Sequence, residues 1–550
     1  VALVISLSIF FAKKTVGFTP PPVDRLSLSH DFVSSMPIVG KEEALADENS
    51  TQSLAIKWLA NEDPLQLDIP MSADTEDAKT FMNRYIMAVL YFSTNGEKWN
   101  DQFNFLTEKT TCEWGHVYQN QFGVKFELGV ACDENDSIVG IWLPLNNMNG
   151  IFPFEEISML SSLTLLSFEF NEYLTGSIPE SISNLSELKF FVFSNNELTD
   201  TLPASMEDMA SLQTIMLDDN LLSGEITPIL NLPNLQVLYL EDNFFGGSLD
   251  NTYFLNTRTL VHLDLSDNAF TGQVPVRFLQ MPNLEVLDLH GNVFLHGEIP
   301  DIAAEQTTLQ VLALHENSLT GEIPASINNL KGLRHLDLSG NGITGTVPET
   351  MGDLIDLEYL FIGINEFDEM PFPSFVRDLT NLTELSLKKT SLTGQIPEWI
   401  GNDLSLLRLL DLDGNKLTGP IPNSMTNLTN LIFLLLNRNE LTGTVPPDLK
   451  YLNLEVLLLD HNSLSGDLDV ICYLFDFNPA DMIIADCGGE NPEITCSLGD
   501  CCHTCCSDDD VFGCNDKEWR GNRDPVWEHF YERRYHSFDD EIAWIPAGRR

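Results

Sequence analysis

Basic residues are scarce in this chain: 29 Lys and Arg stand against 82 Asp and Glu, a formal charge of -53. Such a charge repels phosphate backbones and anionic bilayers, which excludes nucleic acid and membrane surfaces as partners. Long apolar runs are missing too, since beyond Ala12 no stretch approaches the roughly 20 residues a membrane-spanning helix needs. No nucleophile elbow, phosphate loop or HExxH occurs, so the common hydrolase, nucleotide-binding and zinc-protease chemistries have no signature here. Cysteine is sparse as well, 10 in 550 residues, and none falls between Cys132 and Cys472. The 43% of hydrophobic residues is nevertheless enough for a core, so the chain is globular and acidic rather than disordered. Its self-repulsion weakens as salt shortens the screening length, which suits a saline extracellular medium.

What the sequence does have is one repeated phrase. The clearest copy runs from Leu336 to Pro348, and residues 141–468 hold about 14 copies at steps of 23 to 25 residues, phased on an Asn slot from Asn146 to Asn462. A fixed period near 24 is the mark of a solenoid. Leu-x-Leu reads as a short strand with both leucines inward. The Asn ends the strand, and its amide bonds the backbone of adjoining coils, so that a stack of coils builds an Asn ladder whose rungs are worth roughly 1 to 3 kcal/mol each. Gly permits the turn that follows, and Ile-Pro or Val-Pro opens the return segment on the far side.

These residues resemble the leucine-rich repeat of plant type, LxLxxNxLxGxIPxx. The resemblance implies an α/β solenoid, a superhelix with a helical N-terminal cap and a disulfide-rich C-terminal cap. Departures are few: Thr390 takes the Asn slot, Asp200 and Glu369 replace Gly, and Asn171 and Asn292 are each followed by one extra residue. The least regular repeat, Tyr359 to Pro373, is expected to mark a kink or a functional site.

The ends are read as follows. Residues 1–18 open with an apolar stretch, Val1 to Ala12, taken as part of a signal peptide or a signal anchor, with a membrane anchor upstream of residue 13 as the alternative to cleavage and a buried strand as the plainer reading. Residues 19–74 form a linker and a short helix, Gln52 to Asn61. Residues 75–140 are the cap, led by a helix from about Thr75 to Phe92 whose apolar residues recur at i, i+3 and i+4. Its Trp99, Cys112-Glu113-Trp114-Gly115 and Cys132 look like the plant-type N-terminal cap, which implies a Cys112–Cys132 disulfide worth on the order of 3 kcal/mol. The wider block around Ala55 to Ala60 and Arg84-Tyr85 is similar to the N-terminal region of leucine-rich-repeat proteins from unicellular algae, implying a secreted or surface protein. Residues 469–514 are a Cys-rich cap with Cys472, Cys487, Cys496, Cys501, Cys502, Cys505, Cys506 and Cys514, read as disulfides, with zinc on the Cys-x-x-Cys spacing as the alternative. Residues 515–550 are a Trp-, Tyr- and Arg-rich tail that either docks on the acidic body or stays solvated. Glycosylation sequons fall at Asn49, Asn135, Asn184, Asn381 and Asn427.

A ligand is expected on the concave sheet, where each repeat projects the residues flanking its leucines. Four of the 11 histidines fall there, His262, His290, His315 and His335, interleaved with Asp264, Asp288 and Asp337. Asp218, Asp219, Glu241, Asp242 and Asp267 make an acidic strip beside them, while Met216, Tyr239, Tyr359 and Phe361 complete the candidate surface. The plainer alternative is a solvated acidic face. As a site, the patch would take a protein, peptide or glycan with cationic or hydroxyl groups, with Ca²⁺ bridging through Asp218, Glu241 and Asp264 as an option and no other cofactor. Affinity would then fall below about pH 6.5 as His290 and His315 protonate. The chain thus reads as an extracellular or cell-surface binding protein in signalling or defence, and not an enzyme. The family resemblance adds two alternatives, an inhibitor of a cell-wall-degrading enzyme and an ice-binding protein using the Thr175 to Ser465 hydroxyl column.

Overall fold

The computed structural model describes residues 24–506 apart from 39–40, 74, 120–124, 255–256, 304–305, 307, 473–481, 489–492 and 497–503. Segments 1–18 and 515–550 lie outside the described residues, as do Cys501, Cys502, Cys514 and the side chain of Cys472.

Each Leu-x-Leu forms a three-residue strand, and successive strands pair in parallel without slippage: Val237, Leu238 and Tyr239 lie beside His262, Leu263 and Asp264, which lie beside Val286, Leu287 and Asp288. The residues in the two Leu slots of every repeat, one within the strand and one just after it, are fully buried, and they form one continuous core along the molecule. The sheet they build has 18 strands among the described residues. It opens with antiparallel strands Gly115–Gln119, Lys125–Cys132 and Ile138–Trp142, then runs parallel throughout. Strands Met482–Ala485 and Thr504–Cys505 extend it, so coil stacking continues past Leu468, where the repeats were expected to stop. Asp486 serves that extra coil by accepting from the N–H groups of His461 and Asn462 at 2.8 and 3.0 Å.

The Asn ladder is present. The Asn268 amide donates to the carbonyls of Leu240, Leu265 and Ser266 at 2.8, 3.4 and 2.7 Å, and its Oδ1 accepts from Phe245 N–H at 2.9 Å. Thr390, in the same slot, donates its hydroxyl to Leu387 O at 2.7 Å. The residue just before each slot is left-handed: Asp219, Asp242, Asp267, Glu316, Ile364, Lys389, Arg438 and His461 have φ between 47 and 56°. A turn that tight admits non-glycine residues because the ladder bonds on both sides over-determine it.

The Leu-Thr-Gly segments were expected to be turns. They pair instead as a second layer of short parallel strands on the flank, nine from Asn149–Ile151 to Gly342–Ile343 and six from Met370–Pro371 to Ile494–Thr495. The break falls in the irregular repeat, where Glu366, Asp368 and Glu369 replace the usual residues. Return segments close most coils as single 3-10 turns, many of them Pro-led, such as Glu180–Asn184 and Ala325–Asn329, while Phe154–Ile157 and Trp399–Asp403 are short α-helices. In the Thr175 to Ser465 hydroxyl column, Thr175, Ser223, Thr271, Thr344, Thr393 and Ser465 donate to backbone carbonyls of the preceding coil. Thr175, Thr271 and Thr344 each donate to a glycine carbonyl of the preceding coil at 3.2 Å.

The apolar end of the solenoid is covered by helices α1 (Arg25–Ser35), α2 (Lys41–Ala46), α3 (Thr51–Asn61) and α4 (Glu76–Ser93). The first two correct the expected linker. Asp24 caps α1, Arg25 bonds the carbonyls of Ala60 and Leu67 at 3.0 and 2.8 Å, and Phe32 packs edge-on against Phe81. Inside the cap Arg84 is fully buried between Trp58 and Trp114, and it donates to both carboxylate oxygens of Asp63 at 2.8 and 2.6 Å. Cys112 and Cys132 are bonded. At the other end Cys487 pairs with Cys505, and Cys496 and Cys506 are also in disulfides, which removes the Cys505-Cys506 pair from zinc-ligand use.

Candidate functional site

Many of the side chains expected to project into solvent from the concave sheet are buried instead, although Asp242 and Asp267 remain exposed and Asp218, Asp219, Glu241, Asp337 and Tyr359 are half-buried. Strands about 4.8 Å apart leave the buried ones too little room to project. Asp264, Asp288, His262, His290, His315 and His335 are each at least nine-tenths buried by lateral neighbours, as are Met216, Tyr239 and Phe361. A charged ladder packed this closely must settle its charges internally.

It does so in two ways. Over the coils of Asp218 and Glu241 burial shifts the carboxyls toward the protonated form. Burial raises Asp218 to about 7 against the hydrogen bond that Ser194 Oγ donates at 2.6 Å. Burial and then the Asp264 and Asp218 carboxylates hold Glu241 well above its usual range. Asp242 is lifted to about 6 by burial and by Asp219 and Asp267, with a carboxyl-to-carboxyl hydrogen bond to Asp219. Ser266 N–H and Oγ fix Asp264 Oδ1 at 2.9 and 2.6 Å.

Over the next coils the charge is paired. His290 is bracketed by Asp288 Oδ1 at 2.8 Å and Asp267 Oδ2 at 3.0 Å. Burial works against its charge, but the two aspartates win and hold its pKa near 12. Asp288 in turn is brought down to about 2 by His290 despite complete burial. The two carboxylates thus favour a protonated His290 well above pH 6.5, where its protonation was expected. The ring of His315 stacks on His290 with centroids 4.2 Å apart, nearly parallel at 6°. Its Nδ1 stands 3.5 Å from Asp337 Oδ2, within ion-pair reach but without hydrogen-bond geometry. Asp288 Oδ2 is likewise buried without a hydrogen-bond partner among the described residues. Between Asp288 and Asp337 in the register lies Ala313, fully buried in a small apolar cluster with Val286 and Val311. His335 is kept neutral, its pKa pulled to about 4 by burial, and packs 5.4 Å from Tyr359 and 5.7 Å from Phe361. His262 Nδ1 is 2.8 Å from Tyr239 OH.

Asp218, Glu241 and Asp264 lie on adjacent strands as expected, yet among the described residues no set of three His, Cys, Asp or Glu side chains is arranged to hold a metal ion. A basic island further along was not singled out from sequence. Asp413 is gripped by Arg438 through two bonds of 2.6 and 2.7 Å, with Lys388 3.8 Å away. Its signal was available: in a chain this poor in cations, Lys388, Lys389 and Arg438 fall on nearby coils.

All five sequon asparagines are exposed. No helix among the described residues is long and apolar enough to cross a membrane.

A chain stacking register-perfect Leu-x-Leu strands, an Asn ladder and Pro-led return turns is a leucine-rich-repeat solenoid of the plant type. The family described as "Leucine rich repeat" matches residues 233–294 and 307–367, and a second description of the same repeat matches 381–402 and 406–428. Receptor-like protein 18 of Arabidopsis thaliana is 33% identical over 137 residues, 25% of this chain and 16% of that protein. Receptor-like protein EIX2 of Solanum lycopersicum is 30% identical over 174 residues, 32% of this chain and 15% of that protein. The matches thus span about a sixth of the length of these relatives. Among solved structures, the plant peptide hormone receptor RGFR1 in complex with RGF2 superposes with a TM-score of 0.57 at 32% identity, covering 64% of this chain and 55% of that one. A TDR receptor superposes with a TM-score of 0.55 at 27% identity, covering 64% and 61%.

Proposed function

We propose that this protein works outside the cell or at its surface and recognises a protein or peptide ligand on its concave face. The observation that carries the reading is the stretch from Asp288 to Phe361. There the Asp288–His290 and His315–Asp337 ion pairs, with Asp288 Oδ2 lacking a hydrogen-bond partner among the described residues, lie along the ladder that leads to the rings of His335, Tyr359 and Phe361. Buried acceptors without partners favour a ligand that brings a donor, such as a peptide ammonium, guanidinium or amide. The likeness to a receptor solved with a peptide hormone supports the same class of ligand. Exposed sequons and disulfides at both ends support an extracellular setting.

The test is selection from a displayed library of random peptides against the full chain, followed by binding of the selected peptides to Tyr359→Ala and Asp288→Asn variants. Peptides carrying Lys or Arg that lose at least tenfold in affinity on either variant support the reading. Selected peptides that bind both variants as well as wild type, or glycans that bind where peptides do not, would refute it.

A further inference from the structure

A second surface lies on the flank of the solenoid. Leu221, Phe244, Val293 and Phe294 are 45, 63, 56 and 61% exposed, and with the exposed Ala269 they occupy four successive coils just after the Asn slot. Scattered exposed apolar residues are ordinary, but a run of them at the same repeat position on neighbouring coils, staggered by two residues from coil to coil, is not. In later coils the residue after the slot is Ser318, Gly342, Glu366, Ser391, Lys416, Glu440 or Ser463, so nothing in the repeat demands an apolar side chain there.

Charge borders the strip on one side. The left-handed turn residues two positions before Leu221, Phe244 and Ala269 are Asp219, Asp242 and Asp267. The strip is also bare of sugar, because no sequon occurs between Asn184 and Asn381. A second copy of this chain is a poor occupant, since it would bring acidic turns against acidic turns on molecules of formal charge -53. The same charge repels anionic lipid.

We propose that this edge docks a second protein, separate from any concave ligand, through a segment of that protein bearing both basic and apolar side chains. The apolar side chains cover Leu221, Phe244, Val293 and Phe294, and the cations meet the aspartate turns.

The test is fluorescence anisotropy of the full chain with a labelled helical peptide of Lys and Leu that gathers its leucines on one face. Controls are the same peptide with every Leu changed to Ser, and the same peptide with every Lys changed to Glu. Wild type should bind the Lys-Leu peptide at least tenfold more tightly than either control. The Leu221→Ser, Phe244→Ser, Phe294→Ser triple variant, with circular dichroism like wild type because all three side chains are exposed, should lose at least tenfold. The concave variant Asp288→Asn should bind this peptide as wild type does. Equal binding by the triple variant, equal binding of the Lys-Ser peptide, a matching loss in Asp288→Asn, or self-association of wild type that the triple variant abolishes would each overturn the proposal.

Discussion

Replacing Asp411 by Asn tests whether burial on the concave face keeps carboxyls protonated. Asp411 is 5% exposed, accepts from Asp413 N–H at 3.0 Å and from Ser386 Oγ at 3.2 Å, and is lifted by burial to about 6 although Lys388 opposes the shift. A carboxyl whose pKa is higher folded than unfolded binds its proton more tightly when folded. Its stabilising effect is complete below the unfolded value and is lost as pH rises through the folded one. Between the ordinary aspartate value of 3.8 and about 6 the gap corresponds to roughly 3 kcal/mol, of which about 2 kcal/mol falls between pH 4 and pH 8. Asn mimics the protonated acid and does not titrate. The stability of Asp411→Asn relative to wild type should therefore rise by about 2 kcal/mol from pH 4 to pH 8, read as the difference between the two proteins' urea unfolding curves at each pH. All other groups cancel in that difference. An offset that stays constant with pH, or shrinks, would refute the protonated-ladder account.

Three further outcomes follow from the geometry. Asp288→Asn leaves His290 with one carboxylate and should cost about 3 kcal/mol near pH 7; because the pKa of Asp288 is depressed, the loss should shrink as pH falls from about 4 toward 2, as urea titrations would show. Asn268→Ala should cost roughly 1 to 3 kcal/mol by stranding backbone groups of two coils, whereas Thr390→Asn should gain about 1 kcal/mol by restoring a rung, both measurable by urea unfolding. Arg84→Leu leaves Asp63 charged and buried in the cap and should cost about 3 to 5 kcal/mol, with a change in tryptophan emission because Trp58 and Trp114 flank the guanidinium.

The repeats were legible because a period of two inside a period near 24 leaves a trace at every coil, and the Asn slot marks the phase. The cap helix from Glu76 was legible by its apolar spacing and its Thr75 start, whereas α1 was not, because its burial depends on Phe81 and on Arg25 reaching α3. The candidate residues were placed on the right strands, but their burial was invisible. Whether Asp264 is solvated is set by side chains on strands about 25 residues away in sequence, not by its own neighbours. The charge of His290 was hidden for the same reason: Asp267 and Asp288 set it, and Asp267 reaches it from the preceding coil's turn. The flank strands escaped notice because Leu-Thr-Gly has turn chemistry, and only a neighbouring coil turns it into a ladder.

The interruption of the flank layer between Ile343 and Met370, next to the thinned rung at Thr390, divides how the molecule comes apart. In a stack where each coil touches only its neighbours, cooperativity is the product of nearest-neighbour couplings, so it is weakest where those couplings lose bonds. The concave sheet runs unbroken through Tyr359 to Ser386 there, while the flank keeps only single bonds such as Glu366 N–H to Ile343 O and Asp368 N–H to Gly345 O, both 2.8 Å. Partial unfolding should accordingly begin and end at that seam, with the coils from Asn149 to Ile343 and those from Met370 to Thr495 exchanging their amide hydrogens as two separate blocks.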